Sequence, residues 1–136
     1  MLEVASVSIL AAAVIFWLIG FDLIYALQDY EFDRQRGLRS LVVAWWPKNA
    51  LDAAFISHMI MWGLLFGFGL LCRFRLAYLV GLLIILVNLL LEHWLARRRS
   101  LRWINVAFFR LNALISLVFL AVTLAEVAFR GGFRLR

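Results

Sequence analysis

The chain has 136 residues, of which 66% are hydrophobic, with a mean hydropathy of +0.96 and a formal net charge of +6. This composition excludes an ordinary soluble globule, and the length allows one small domain. The basic residues cluster between apolar stretches instead of forming a soluble basic face. We therefore expect a membrane protein and no nucleic-acid partner.

Four apolar segments predict the fold. They run from Val4 to about Leu27, from about Leu51 to Cys72, from Leu76 to Leu91 and from Ile104 to Phe129. Each is close to the roughly 20 residues that cross a hydrocarbon core. A backbone in lipid must satisfy its own hydrogen bonds, so these segments are expected to be helices. The sequence predicts an all-α, polytopic transmembrane helix bundle with four spans, one membrane domain over residues 1–136.

An acidic stretch with Asp22, Asp29 and Asp33 begins inside the first apolar segment and continues beyond it. If the helix continues to Asp33, the three carboxylates fall within roughly 40° of one another on one face. Carboxylates that close repel one another unless a cation compensates. An all-oxygen cluster suits Mg²⁺, which usually completes its coordination with water and substrate phosphate.

The same spacing also describes a solvated acidic helix end with Arg34, Arg36 and Arg39 as local partners. Asp22 favours a functional site, because it lies inside the apolar segment and a carboxylate within a membrane is costly. An alternative function is a small membrane transporter or assembly subunit that passes ions or protons through Asp22 and Asp29.

The stretch resembles the second aspartate-rich motif of the UbiA family of membrane prenyltransferases, D-x-x-Y-A-x-x-D-x-x-x-D followed by a basic residue or two and Gly. The matching residues are Asp22, Tyr25, Ala26, Asp29, Asp33, Arg34 and Gly37. Later stretches are also similar to the family, especially to its 4-hydroxybenzoate polyprenyltransferase-like branch. These stretches are Gly37–Ser40, Pro47–Leu51, Glu92–His93 and Asn105–Asn112. The family often has Gly at the position of Trp46.

The resemblance implies a transferase that moves a polyprenyl group from polyprenyl diphosphate to an aromatic acceptor such as 4-hydroxybenzoate, in quinone biosynthesis. It implies that Asp29 and Asp33 bind Mg²⁺ bridging to the diphosphate, with Asp22 adjacent in the substrate site. Tyr25 would stabilise the allylic cation through its ring face, or hold an oxygen by a hydrogen bond.

The resemblance also implies that basic residues help to bind the phosphates, such as Arg34 or Lys48, with Arg36 as an equal candidate. The link regions 28–49 and 92–103 carry eight Lys or Arg, against five on the opposite side of the four spans. By the positive-inside rule, the acidic motif is expected to face the cytoplasm. We expect an integral protein of the bacterial inner membrane.

The family has about nine spans and two aspartate-rich motifs. The first motif, N-D-x-x-D-x-x-x-D, does not occur in this sequence. The resemblance therefore implies that the chain corresponds to the C-terminal half of a UbiA-type nine-helix fold. We expect the chain alone to be catalytically incompetent, either as a truncated gene product or as a chain that needs a separate N-terminal half, carrying the first motif, as its partner.

Polar residues within the spans are expected to have structural roles. His58 is expected to pack in the core, since no second histidine lies at a ligand spacing, and Glu92–His93 is expected to form a salt-bridged or snorkelling pair at the interface. Asn112 and Ser116 share a face of the fourth span, where hydrogen bonds between helices are the first interpretation and substrate contact the second. Gly63-x-x-x-Gly67 permits a close approach of a neighbouring helix, but the motif is common and does not indicate which helix.

Overall fold

The computed structural model describes residues 2–98 and 101–132, and the side chains of residues 4–27, 29–30, 32–97 and 109–128. The elements in chain order are α1 Leu2–Ala26, a single 3-10 turn at Leu27–Asp29, α2 Tyr30–Arg36, α3 Leu41–Leu71, α4 Leu76–Arg98 and α5 Leu101–Gly132. The prediction of an all-α fold is confirmed, since every element in the described ranges is helical.

Four of these helices are long and apolar enough to cross a membrane. The qualifying segments are Val4–Ala26, Leu41–Leu71, Leu76–Arg97 and Phe109–Ala128. Their number agrees with the four predicted spans, and their outward faces carry large apolar side chains that suit contact with lipid. The prediction of a polytopic helix bundle is therefore confirmed.

The second span begins at Leu41 and not near Leu51. Ser40 starts α3 in an extended conformation, and its Oγ accepts a hydrogen bond from Val43 N at 3.4 Å. Such an N-cap satisfies one of the amide groups that a helix start leaves unpaired. The helix then kinks at Trp46, where φ is 66° and ψ is 146°. Pro47 follows as the first residue of the straight part, a position at which its missing N–H removes no helical hydrogen bond.

The helices pack as two pairs. α1 packs chiefly against α3, α4 packs against α5, and contacts between α3 and α4 join the pairs. The main core lies where they meet, and its buried residues are Ala13, Met61, Leu65, Phe68, Tyr78, Leu82, Ile85, Leu89 and Ile115.

Polar groups inside the bundle bond across helices. The Tyr78 hydroxyl donates to Leu65 O at 2.9 Å, which ties α4 to α3. Glu126 on α5 accepts from the backbone N–H of Arg75 at 2.9 Å, just before α4 begins. A salt bridge between Arg97 and Asp52 joins the end of α4 to the first straight turns of α3. The end of α1 also lies at this end of the bundle, beside the start of α3.

Candidate functional site

The acidic stretch does not form one continuous helix. α1 ends at Ala26, and the 3-10 turn at Leu27–Asp29 separates it from α2. Because a 3-10 turn has 3.0 residues per turn and an α-helix 3.6, the turn rotates α2 relative to the face of α1. The single stripe of carboxylates was predicted for a helix that continues to Asp33, and that premise is wrong. Asp22 belongs to α1, whereas Asp33 belongs to a separate short helix.

Apolar anchors hold the turn and α2 against the start of α3. Leu27 is buried against Val42, and Tyr30 packs against the same cluster from α2. With these side chains directed inward, Asp29 is left exposed and Asp33 half-buried. The apolar residues Leu27 and Tyr30 therefore pack inward, and the acidic residues between and after them are more accessible at this end of the bundle.

Gly37 ends α2 in the left-handed conformation, with φ of 66° and ψ of 22°. Leu38 N donates to Asp33 O at 2.9 Å, and Gly37 N donates to Arg34 O at 3.3 Å. This pair of hydrogen bonds is the Schellman pattern of helix ends, for which glycine is preferred because it has no Cβ. The glycine of the motif thus fixes the end of the helix that carries Asp33 and Arg34.

The three predicted phosphate-binding cations, Arg34, Arg36 and Lys48, are all exposed. The Arg36 guanidinium lies 5.3 Å from the centre of the Phe32 ring, within the range of a cation–π contact. Within the described side chains, no salt bridge joins the carboxylates of the acidic stretch to these cations. Charges of both signs therefore face outward along α2 and the start of α3.

The donor atoms of the acidic stretch fit Mg²⁺. Among the described residues, no group of three or more His, Cys, Asp or Glu side chains could hold a metal ion by itself. Mg²⁺ is usually bound through one or two carboxylates together with substrate phosphates and water, and it does not require an all-protein cage. Asp29, which is exposed, and Asp33, which is half-buried, carry oxygen donors of this kind.

Tyr25 belongs to an aromatic cluster between the acidic stretch and the interior. Its ring stacks on Phe21 with centroids 6.2 Å apart and meets the edge of Phe109 at 6.4 Å. Phe21 and Phe109 are themselves 6.1 Å apart in an edge-to-face arrangement. Such geometries are favourable for aromatic pairs. The cluster places the Tyr25 ring, which is 44% exposed, beside the gap between α1 and α5.

The helices α1 and α5 are not among the helix pairs whose backbones pack closely. Side chains of the two helices therefore bridge the space between them. The gap, called the α1–α5 cleft below, has a volume of about 260 Å³. Its lining residues are Trp17, Leu18, Phe21, Phe109, Asn112, Ala113 and Ser116. A second, apolar cavity of about 150 Å³ lies further along the same two helices and shares Trp17 and Ser116 with the cleft.

A layer of polar side chains crosses the bundle beside the cleft. Trp17 Nε1 donates to Asn112 Oδ1 at 2.8 Å, and Asn112 Nδ2 donates to Glu92 Oε1 at 3.4 Å. The rings of His58 and His93 lie perpendicular with centroids 5.1 Å apart. Three of the four helices of the bundle contribute to the first chain of hydrogen bonds, and the histidines link α3 to α4.

Glu92 and His93 are buried, with 2% and 4% of their surfaces exposed, so the expectation of an interfacial snorkelling pair is wrong. His58 is fully buried, as predicted, but it packs against a second histidine from 35 positions along the chain. Ionisable residues within apolar spans are functional candidates, and this rule is the signal in the sequence that could have pointed to the layer. Sequence spacing alone could not bring the two histidines together.

Part of the resemblance falls outside the described side chains. Asn105 and the basic residues Arg98, Arg99 and Arg102 lie there. Asn112, by contrast, is 5% exposed and lies between helices, which agrees with its predicted role as an interhelical contact.

Comparison with known proteins identifies the family. The model of the UbiA prenyltransferase family matches residues 3–127, which is most of the chain. The comparisons with curated proteins and with solved structures found no match. The four apolar helices and the family match indicate an integral membrane protein. The family's substrate class is prenyl diphosphates. The chain belongs to the UbiA prenyltransferase family.

Proposed function

We propose that this chain provides the diphosphate-binding part of a UbiA-type enzyme that transfers a polyprenyl group to an aromatic acceptor such as 4-hydroxybenzoate, in quinone biosynthesis. The observation that carries the proposal is the placement of the exposed Asp29 and the half-buried Asp33 in one short stretch with exposed cations. This stretch directly follows Tyr25, which belongs to the aromatic cluster. The match to a prenyltransferase family over residues 3–127 supports it.

In this proposal Asp29 and Asp33 hold Mg²⁺ together with the diphosphate, and Asp22 lies next to the substrate. When bound, the metal neutralises charge on the leaving diphosphate. Arg34, Arg36 and Lys48 contribute to the same neutralisation, and they bind phosphate oxygens by charge-assisted hydrogen bonds. Their exposure at one end of the bundle allows them to reach a charged head group whose tail lies in the apolar interior.

The reaction breaks the bond between the allylic carbon and the diphosphate oxygen, and the electron pair leaves with the diphosphate. The face of the Tyr25 ring stabilises the allylic cation that remains. A carbon of the acceptor ring, beside its hydroxyl, then bonds to the allylic carbon and releases a proton. Tyr25 suits this role because its stacking on Phe21 fixes the orientation of the ring.

The proposal requires a second acidic motif, since the family uses two and this sequence carries one. We propose that a separate N-terminal half supplies it. The chain alone is then expected to bind prenyl diphosphate without transferring the prenyl group.

The proposal is tested by titrating farnesyl diphosphate into the purified chain in lipid nanodiscs, with and without Mg²⁺. Binding is expected to require Mg²⁺ and to weaken at least about tenfold in Asp29→Asn and Asp33→Asn, the size of loss typical for disrupted metal sites. Asp52→Asn is the matched control, because Asp52 lies at the same end of the bundle but pairs with Arg97.

Equal effects of all three substitutions would contradict the assigned site. Turnover of farnesyl diphosphate and 4-hydroxybenzoate by the chain alone, lost in Asp29→Asn, would contradict the need for a second motif. Ion flux through liposomes without affinity for prenyl diphosphates would favour the transporter instead.

A further inference from the structure

We infer that Arg110 of α5 is a further phosphate-binding residue, which binds the diphosphate of the prenyl substrate beside Asp22 and Tyr25 of α1. The inference rests on the proposed function, and it brings α5 into a site that the acidic motif places on α1 and α2 alone.

Aromatic contacts fix the level of Arg110 in the bundle. The centre of the Phe109 ring lies 6.1 Å from that of Phe21 and 6.4 Å from that of Tyr25. Arg110 comes directly after Phe109 in α5, and adjacent residues differ by about 1.5 Å along a helix axis. Asp22 comes directly after Phe21 in α1. The two charged residues therefore lie at nearly the same level of neighbouring helices.

Asp22 lies on the outer face of α1. Leu18, Asp22 and Tyr25 are all exposed, and their spacing places them on one face of the helix. The opposite face of α1 packs against α3, where Ile24 is buried in a cluster with Ala54. The carboxylate of Asp22 is thus turned away from α3.

Arg110 lies on the corresponding outer face of α5. Arg110, Leu114 and Leu117 have the same spacing and are all exposed. The opposite face of α5 packs against α4, where Asn112 Nδ2 donates to Glu92 Oε1 at 3.4 Å. The guanidinium of Arg110 is thus turned away from α4.

The outer faces of α1 and α5 form one surface of the bundle. α1 packs chiefly against α3 and α5 against α4, while α3 and α4 contact each other. The faces of α1 and α5 that turn away from these partners therefore lie side by side, joined by the ring of Phe109. Asp22, Tyr25 and Arg110 are exposed on this surface at one level.

Both charged residues belong to apolar spans. Asp22 lies in the segment Val4–Ala26, and Arg110 lies in the segment Phe109–Ala128. Within the described side chains, neither residue forms a salt bridge. An ionisable residue in a span is costly and is a functional candidate by default. Separate charges of opposite sign at one level suit a ligand that combines phosphate groups with a metal ion.

The guanidinium of Arg110 has the properties that a diphosphate site needs. It carries five N–H donors in a planar fork that matches phosphate oxygens, and it stays charged at any physiological pH. In the proposed reaction the bond to diphosphate breaks beside the Tyr25 ring. Arg110 neutralises part of the charge that develops on the departing diphosphate, from a helix that the acidic motif does not include.

A phospholipid head group offers the same phosphate chemistry as the substrate, so the test separates the two sources. It measures the affinity of the full chain for farnesyl diphosphate with Mg²⁺ in nanodiscs of phosphatidylcholine, and again in nanodiscs that also contain phosphatidylglycerol. Inorganic diphosphate with Mg²⁺ is measured in parallel, because it has the phosphate groups without the tail.

Arg110→Gln is expected to weaken the binding of both diphosphates at least about tenfold, because it removes charge-assisted hydrogen bonds. Arg110→Lys keeps the charge and should recover part of the affinity. The affinity of the parent chain should also fall more steeply with added salt than that of Arg110→Gln. Arg97→Gln is the matched control, since Arg97 lies at the same end of the bundle but pairs with Asp52.

Unchanged binding in Arg110→Gln overturns the inference, and so does an equal loss in Arg97→Gln. A loss confined to farnesyl diphosphate, with inorganic diphosphate bound as before, shows an effect on packing or on the tail and also overturns it. A loss that occurs only with phosphatidylglycerol assigns Arg110 to the lipid head group instead. In all these outcomes, Mg²⁺-dependent binding by the parent chain that is lost in Asp29→Asn leaves the proposed function standing. Absence of binding by the parent chain contradicts the proposed function itself, and the inference with it.

Discussion

Gly20 on α1 faces the ring of His58 on α3, with no room for a methyl group between them. A Cβ at position 20 would lie well inside van der Waals contact with the Cδ2 and Nε2 atoms of His58. The imidazole is fully buried, so it cannot swing into open space. We therefore expect Gly20→Ala to lower the free energy of unfolding by about 1–3 kcal/mol, the usual cost of overpacking a core. Thermal unfolding of the purified chain in detergent measures the effect.

Gly63→Ala is the matched control. Within the described part of the chain, a Cβ at Gly63 or Gly67 would meet nothing within 4 Å. Alanine favours helix over glycine by about 1 kcal/mol, so Gly63→Ala should leave the unfolding midpoint unchanged or raise it. Equal midpoints for Gly20→Ala and Gly63→Ala would show that the contact between Gly20 and His58 does not limit stability.

These glycines also show where sequence reasoning fails. The spacing of Gly63 and Gly67 permits a close helix approach, yet among the described glycines it is Gly20, Gly69 and Gly81 that have a side chain of another helix directly against them. The pattern predicts that a helix can come close, but not which face it turns to its neighbour. That choice depends on the packing of all four spans.

The backbone of the acidic stretch was predicted poorly, because the helix does not continue unbroken to Asp33. Gly37 and Ser40 are local signals, a helix stop and a helix start, and the structure uses them as such. The 3-10 turn at Leu27–Asp29 has no such local signal. At this turn Leu27 is buried against Val42 on α3, which is a contact between residues far apart in the chain. A tertiary contact of this kind is not readable from helical periodicity.

The kink of α3 gives a prediction about its two tryptophans. Trp46 has φ of 66° and ψ of 146°, a region that is nearly reserved for glycine and costs other residues about 1–3 kcal/mol. Trp46 is 64% exposed, so its removal loses little packing. We expect Trp46→Gly to raise the unfolding midpoint, since glycine adopts this conformation without strain.

Trp45→Gly is the control for that experiment. Trp45 is 49% exposed and lies in the helical turn before the kink, where glycine costs about 1 kcal/mol relative to a good helix former. Its unfolding midpoint should fall. A lower midpoint for Trp46→Gly as well would show that the indole at the kink contributes more than the backbone strain costs.

The number and class of the helices followed from hydropathy alone, because the bilayer sets both the length and the backbone structure of a span. The polar layer of His58, Glu92, His93 and Asn112 did not, although His58 and Asn112 lie within apolar segments and Glu92 and His93 directly follow one. Its members come from α3, α4 and α5, and only packing brings them to one depth. Helix packing thus forms the layer, hydrogen bonds from Trp17 and to Glu92 hold Asn112, and Asn112 lines the cleft.

The orientation of the whole molecule gives the last prediction. The helix ends near the acidic stretch carry eight Lys or Arg and the opposite ends carry five, so the acidic stretch is expected on the cytoplasmic side. In a Cys72→Ser background, Gln35→Cys marks the acidic side and Arg75→Cys marks the turn between α3 and α4, and both positions are exposed. Arg75→Cys removes a charge from the side with fewer Lys and Arg, so it does not oppose the expected orientation.

In intact bacterial cells, a membrane-impermeant maleimide should label Arg75→Cys and spare Gln35→Cys, whereas disrupted cells should label both. Labelling of Gln35→Cys in intact cells would place Asp29 and Asp33 outside the cell, away from cytoplasmic prenyl diphosphate, and would contradict the proposed function along with the orientation.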